Sequence, residues 1–340
     1  MKFTKQQKQA IVEIYKTTKN SSLKLLKYVY INEGFLTCSN IEKTIRIMTD
    51  IDTEITTAIT FELFYQKVVK KNKEFDLYEK DENTILEIGN IEYKFNFSNM
   101  LADWHEFTKD NKINDNKEYL TILTQWEIKE TAKRKYMLSK DETRRVLTKY
   151  AIRDGYIYGT DGHLAFRIEQ ENKYEGEIII EPETIDILKH CEHETTIYQS
   201  DKKNYYVNEE ICIIDKKFDW PYVNIENIIP DGYSEYIQFG EKYKDIENMY
   251  TPGKNELIKI EGDKINSRNI DYGIETSLQN VIEENTFSGI KIGFNKSLLI
   301  KLLDQSESKK LYVRTKISIS YFDDGKILTL IMPLRILEDC

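Results

Sequence analysis

The sequence predicts an α+β fold in which one module, a strand followed by a helix and three further strands, recurs six times along 340 residues. Three observations predict it. Short segments carry apolar residues at helical spacing on one face. Each is followed by β-rich runs separated by turn signals such as Asn32-Glu33-Gly34 and Gly89-Asn90. The same order then restarts, dividing the chain into three domains of two modules each, 1–116, 117–231 and 232–340. Antiparallel sheets with one helix per module pack their helices on a single face. Repetition of this kind builds an extended or closed assembly and not one deep catalytic pocket.

The first module opens with a short strand at 1–4 and a helix over 5–19, whose Ile11, Ile14 and Tyr15 share a face. Strands follow at 25–31, 35–38 and 43–48. In the second module, Ile59 leads into a helix over 61–71 with Phe61, Tyr65 and Val68 inward, then strands at 75–78, 84–88 and 93–97. A polar segment, 108–117, reads as a link. Beyond it come a strand at 119–123 and a helix over 125–136 that Thr124 can cap. Strands at 148–151, 156–159 and 164–168 complete the third module. The fourth has a strand at 177–180, a helix from Pro182, whose fixed φ suits a first turn, and strands at 195–198, 204–207 and 211–215. A proline-marked passage runs from Trp220-Pro221 to Ile229-Pro230. The last domain offers a helix near 241–249, strands at 257–261 and 264–266, a strand ending at Ile292 and a helix over 297–303 with Asn295 as cap. Strands at 311–314, 317–322 and 327–331 close the chain. The closing stretch carries Pro333, which predicts an edge position, because proline cannot donate to a ladder.

Composition excludes several classes. Apolar content of 40% beside 31% charged residues fits a globular, non-disordered chain. No run approaches the length of a membrane span, and no apolar stretch with a cleavage site follows Met1-Lys2-Phe3-Thr4, so a cytoplasmic location is expected. Cys38, Cys191, Cys212 and Cys340 lack paired spacing and read as reduced thiols. The net charge of −9 argues against nucleic acid only weakly, since a local basic surface matters more than the total.

Candidate chemistry is sparse. Thr160-Asp161-Gly162-His163 is the most enzyme-like tetrad, but between two strands Asp-Gly is first a hairpin turn. His190, Cys191 and His193 end a helix with Cys191 off the face that the histidines share, a poor metal site. There is no Gly-rich phosphate loop and no carboxylate pair suited to acid–base work, so neither a catalytic residue nor a cofactor or metal is assigned. Basic residues do gather on the predicted helices: Lys5, Lys8, Lys16 and Lys19, then Lys67, Lys70, Lys71 and Lys73, then Lys129, Lys133, Arg134 and Lys135. Such charges are ordinarily a solvated face. On one face of an acidic protein they also suit sequence-independent contact with DNA phosphates.

Several segments converge on one family. These are Ser139-Lys140-Asp141-Glu142-Thr143-Arg144-Arg145-Val146-Leu147, Tyr158-Gly159-Thr160-Asp161-Gly162-His163-Leu164-Ala165, Ile292-Gly293-Phe294-Asn295 and Met332-Pro333-Leu334-Arg335-Ile336. With the opening Met1-Lys2-Phe3-Thr4 and the module count, the chain resembles the bacterial sliding clamp, the beta subunit of DNA polymerase III. The resemblance implies DNA-clamp domains in a head-to-tail homodimer ring, helices on the inner face, sheets outside and duplex DNA through the hole. It implies a clamp that binds double-stranded DNA without reading sequence, tethers a replicative polymerase and confers processivity. Lys8, Lys19, Lys24, Lys70, Lys71, Lys133 and Lys140 would face DNA, and Phe95 and Phe97 the second subunit. A cleft for short linear motifs of polymerase, clamp loader and repair proteins would be lined by Arg144, Leu147, Thr160, Gly162, His163, Ala165, Ile228, Leu330, Met332, Pro333, Leu334 and Arg335. The alternative is a clamp-fold protein that binds partner peptides without encircling DNA. Leu164-Ala165 stands where the family usually has Arg-Leu, and Leu337-Glu338-Asp339-Cys340 extend past its usual end.

Overall fold

The computed structural model describes residues 1–80, 83–95, 117–251, 256–269, 274–289 and 291–336. It combines helices with antiparallel sheets, as the sequence predicts, and forms two compact units. One unit comprises 1–133, 170–175 and 179–220; the other comprises 134–169, 176–178 and 221–340.

The first unit is built on an eight-stranded sheet, in the order Thr57–Thr60, Tyr28–Asn32, Phe35–Ser39, Lys43–Met48, Ile211–Lys216, Lys203–Val207, Thr195–Gln199 and Glu118–Leu123. Helix Lys5–Thr18 lays Ala10, Ile11, Ile14 and Tyr15 on the strands Phe35–Ser39 and Lys43–Met48. Residues 1–4 are not the expected strand. Thr4 is the helix N-cap, its hydroxyl accepting from Gln7 N at 3.2 Å while its own N–H donates to Gln7 Oε1 at 3.0 Å. The strand expected from residue 25 begins later, because Lys24–Lys27 forms a 3-10 turn.

The helix expected over 61–71 is one α turn, Phe61–Phe64, followed by a π turn, Tyr65–Val69. The wider turn sets the Tyr65 ring flat on Tyr15, with centroids 3.9 Å apart. Helix Pro182–Leu188 packs between Lys5–Thr18 and Gln125–Lys133, so the helices of this unit lie side by side. Where its two four-strand halves meet, Lys43 and Asp215 pair at 2.9 Å, nearly fully buried, and both bond the Thr184 hydroxyl. A three-stranded sheet, Asp76–Lys80, Asn83–Ile88 and Ile91–Phe95, completes the unit. Phe95 ends its edge strand; Phe97 lies outside the described residues, as do Leu337 to Cys340.

The second unit has a nine-stranded sheet, ordered Glu177–Ile180, Tyr150–Arg153, Tyr156–Thr160, Leu164–Glu169, Ile327–Ile331, Ser320–Asp323, Lys310–Val313, Glu235–Phe239 and Ile282–Asn285. A four-stranded sheet follows, ordered Ile274–Leu278, Lys264–Asn269, Leu257–Glu261 and Ile292–Asn295. Asn295 caps helix Lys296–Gln305 through Leu298 N at 2.9 Å, and Leu299, Ile300, Leu302 and Leu303 fill its inner face. The helix expected near 241–249 is present as a 3-10 helix, Glu241–Asn248. Its buried Tyr243 and Ile246, with Met249 just beyond, recur every third residue, the period of that helix. The closing strand Ile327–Ile331 is central, not an edge. Pro333 falls beyond its ladder, so no sheet hydrogen bond is lost.

Candidate peptide cleft and basic helix face

Central pairing of the closing strand is what gathers the candidate cleft residues in the second unit. Leu330 sits opposite Ala165, and Ala165 opposite Thr160, so the three share one sheet face. Past the last ladder pair, Met332 N donates to the His163 carbonyl at 2.9 Å, fastening the terminal segment to the turn. Leu334 N then donates to Gly293 O at 2.8 Å, which turns the segment toward the four-stranded sheet. Ile331 is buried, Met332 is 39% exposed, and Pro333 and Leu334 are half-buried. Alternation across the strand end thus directs one side chain inward and presents the next.

The turn is fixed by its own polar groups. Thr160 Oγ1 donates to Leu164 O at 2.6 Å and accepts from Gly162 N at 3.0 Å. Asp161 Oδ1 accepts from His163 N and Leu164 N, both at 2.7 Å. The Asp161 carboxylate is therefore occupied in shaping the turn, and the His163 ring is exposed at its tip. Gly162 adopts φ +93°, a conformation that L side chains avoid. Arg144, within the 3-10 segment Glu142–Thr148, reaches Asp141 Oδ2 at 3.2 Å, Ser139 Oγ at 3.3 Å and, on the turn, Asp161 O at 3.4 Å. Leu147 is half-buried, its carbonyl held by Ser139 N at 2.9 Å.

The proline-marked passage crosses the same sheet face. Tyr222 OH donates to Lys149 O at 3.1 Å, Glu226 accepts from Tyr158 OH and pairs with Arg167 at 3.2 Å, and Tyr233 N donates to Tyr321 OH at 2.9 Å. Burial and the Glu226 carboxylate push the Tyr158 phenol far up, so it remains a donor. Ile228, two residues past Glu226, is 45% exposed. Arg335 is exposed.

The structure thus joins Arg144, Thr160, Gly162, His163, Ala165, Leu330, Met332 and Leu334 through one hydrogen-bonded framework. Sequence reasoning passed over Glu226, Tyr321 and the bond that Gly293 O accepts from Leu334 N. The contact between Tyr158 and Glu226 spans 68 residues, so no local pattern announces it.

Of the expected DNA-facing lysines in the first unit, Lys8 and Lys133 lie on helices, and Lys19, Lys70 and Lys71 lie at or just past helix ends. Lys19, Lys70, Lys71 and Lys133 are exposed and Lys8 is half-buried. Lys133 is engaged by Glu130 at 2.5 Å. Lys140, exposed, lies two residues before the 3-10 segment Glu142–Thr148 of the second unit. Among the described residues, no three His, Cys, Asp or Glu side chains cluster as a metal site would require. No helix among them is long and apolar enough to cross a membrane.

No protein-family profile matches the chain. No curated protein sequence matches it either. Solved structures do. The DNA polymerase III beta chain of Streptococcus pneumoniae TIGR4 superposes with a TM-score of 0.74 at 17% identity, over 97% of this chain and 98% of that one. The beta subunit of Thermotoga maritima gives 0.75 at 15%, over 97% of each chain. The Pseudomonas aeruginosa sliding clamp, in a structure bound to griselimycin, gives 0.75 at 14%, over 97% of this chain and 98% of that one. At such identities the likeness speaks for architecture: the chain has the fold of the DNA polymerase III beta subunit, the sliding clamp.

Proposed function

We propose that this protein is a DNA sliding clamp: a non-catalytic homodimeric ring, cytoplasmic, that encloses duplex DNA and tethers replicative polymerase and other DNA-processing proteins by their short linear motifs. The observation that carries the reading is the full-length likeness to sliding clamps, 97% of this chain against 98% of the S. pneumoniae beta chain. Each of the three domains, 1–116, 117–231 and 232–340, would contribute two modules. Lys8, Lys19, Lys24, Lys70, Lys71, Lys133 and Lys140 would bind backbone phosphates, which positions a clamp without tying it to a sequence.

Ring closure would pair two edges from different copies. Ile91–Phe95 ends one sheet of the first unit and Ile274–Leu278 ends one of the second. Joining them removes two open strand edges at once. Phe95 and Phe97 would supply apolar contact.

The cleft would take a peptide with leucine and phenylalanine anchors. Met332 and Leu334 offer adaptable apolar contact, and Arg144, His163 and Arg335 offer polar edges. Griselimycin bound to the P. aeruginosa clamp supports a ligand-binding groove on this fold.

The deciding experiment loads the protein on closed circular primed DNA with a cognate polymerase. Long products that disappear when the circle is linearised are expected. Product lengths that ignore the protein would overturn the proposal. Light scattering supplies the second check: a dimer at micromolar concentration, shifted toward monomer by Phe95→Ala with Phe97→Ala. A wild-type monomer would favour the peptide-binding alternative.

A further inference from the structure

The turn of the candidate cleft has a counterpart in the first unit that repeats most of its hydrogen bonds. Ser39-Asn40-Ile41-Glu42-Lys43 corresponds to Thr160-Asp161-Gly162-His163-Leu164. Ser39 Oγ bonds Lys43 O at 3.1 Å and accepts from Ile41 N at 3.3 Å, and Asn40 Oδ1 accepts from Lys43 N at 2.8 Å. Lys216 N donates to Glu42 O at 2.9 Å, as Met332 N does to His163 O at the same distance. The ladders agree as well. Tyr119, Tyr198, Tyr205, Ile214, Thr44 and Ser39 stand opposite one another in order. In the second unit the matching row is Tyr236, Tyr312, Tyr321, Leu330, Ala165 and Thr160.

What the two turns display differs. Gly162 is replaced by Ile41, 58% exposed and held at φ +81°, where β-branched residues are outliers. In place of Leu334 and Ile336 the following segment carries Phe218 and Trp220, rings 6.1 Å apart, with Trp220 62% exposed. In place of Met332-Pro333 it carries Lys216-Lys217. Lys203 is the register partner of Lys216, and Lys217 N bonds Lys202 O at 2.8 Å, so the backbones of four lysines adjoin at this corner. Lys217 Nζ is held by Gln199 at 2.8 Å. The exposed carboxylates nearby in the chain are Glu42, Asp201 and Asp219. An exposed isoleucine at a strained turn, with an exposed tryptophan four residues past the Lys216 whose N–H bonds that turn, is unusual without a partner.

We propose that this corner of the first unit is a second docking patch, taking a linear peptide with carboxylates beside leucine or aromatic side chains. The proposal rests on the reading of the cleft as a peptide site, whose framework it repeats. Ile41 and Trp220 supply the apolar seat, and Lys202 and Lys216 the complementary charge. Interleaved carboxylates make the patch a poorer match for a phosphate backbone than for a peptide that can place its charges singly.

The test uses the full chain and a glutamine–leucine–x–leucine–phenylalanine peptide flanked by aspartates. Calorimetry is expected to find two peptides per chain, with a blue shift of tryptophan emission that Trp220→Phe removes. Met332→Ala with Leu334→Ala leaves one site. Ile41→Asp with Trp220→Ala, or Lys202→Glu with Lys216→Glu, weakens the other by about tenfold or more, the scale of an interface hot spot. One peptide per chain, lost with Met332 and Leu334, would keep the cleft and overturn the second patch. No binding to the wild type removes both. Emission from Trp220 that answers to single-stranded DNA and not to peptide overturns the assignment in favour of nucleic acid.

Discussion

Leu334 donates its backbone N–H to Gly293 O at 2.8 Å, and a Cβ added at residue 293 would stand 3.0 Å from the Leu334 carbonyl oxygen. The same Cβ would meet Leu257 Cδ1 at 2.9 Å and Ile336 Cγ1 at 3.0 Å. Glycine is thus what lets the terminal segment lie against the four-stranded sheet. Gly293→Ala is expected to cost about 1–3 kcal/mol of stability, as overpacking does. It should also weaken peptide capture by displacing Leu334. Thermal unfolding and peptide titration of one variant read both effects.

Gly162 meets a milder obstacle, with Arg144 Nη1 3.4 Å from its missing Cβ, but its φ of +93° is itself restrictive. Gly162→Ala should therefore destabilise by roughly 1 kcal/mol through the backbone alone. Arg144→Ala, at an exposed side chain, should leave the melting temperature nearly unchanged while reducing peptide affinity. The contrast separates the turn's shape from the guanidinium's contact.

How much of this could be read beforehand depends on range. Thr124 and Asn295 announce helix starts because capping acts within three residues. The Thr160–Leu164 turn is local and was legible. The strand expected at 1–4 failed because Thr4 and Phe3 serve a cap and the core rather than a ladder, Phe3 lying 5.9 Å from Phe64 and 5.5 Å from Phe75. The π turn at Tyr65 depends on Tyr15, and the central place of Ile327–Ile331 depends on Leu164–Glu169. Neither dependence leaves a local trace. In the site, the resemblance supplied Met332 and Leu334, whereas Glu226 and Tyr321 act through partners far along the chain.

Tyr15 gives the fold a pH-dependent element. Burial, then its bond to the Glu62 carboxylate, pushes its phenol up to about 12 from 10.0. A folded value above the unfolded one stabilises fully below pH 10, and that contribution is lost as pH rises toward the folded value. Melting temperatures should fall between about pH 10 and pH 12. Tyr15→Phe should make that decline shallower. An unchanged slope would show that Tyr15 does not set it.

Ile41 predicts a trade between stability and binding. Its φ of +81° is the conformation that Gly162 supplies without strain at the matching turn. Ile41→Gly is expected to stabilise the first unit by about 0.5–1 kcal/mol, a left-handed β-branched residue costing more than glycine's entropy. The same change removes apolar surface from the proposed second patch, so a higher melting temperature should accompany weaker peptide binding there.

The buried Lys43–Asp215 pair can be tested against the protein's own repeat. The two face each other in register where the second unit places Leu164 opposite Ile331, both buried. A buried ion pair loses much of its Coulomb attraction to desolvation, yet removing one partner strands the other. Lys43→Leu alone should cost about 3–5 kcal/mol, leaving Asp215 charged in the interior. Adding Asp215→Ile reproduces the apolar pair of the second unit and should recover most of that loss. The Thr184 hydroxyl, which bonds both charged groups, would then be the remaining unpaired donor, at about 1–3 kcal/mol. The triple variant with Thr184→Val should equal or exceed the wild type in chemical denaturation. If the double and triple variants stay as unstable as Lys43→Leu, the two sheets tolerate different cores at this position, and the equivalence of the repeats stops at the backbone.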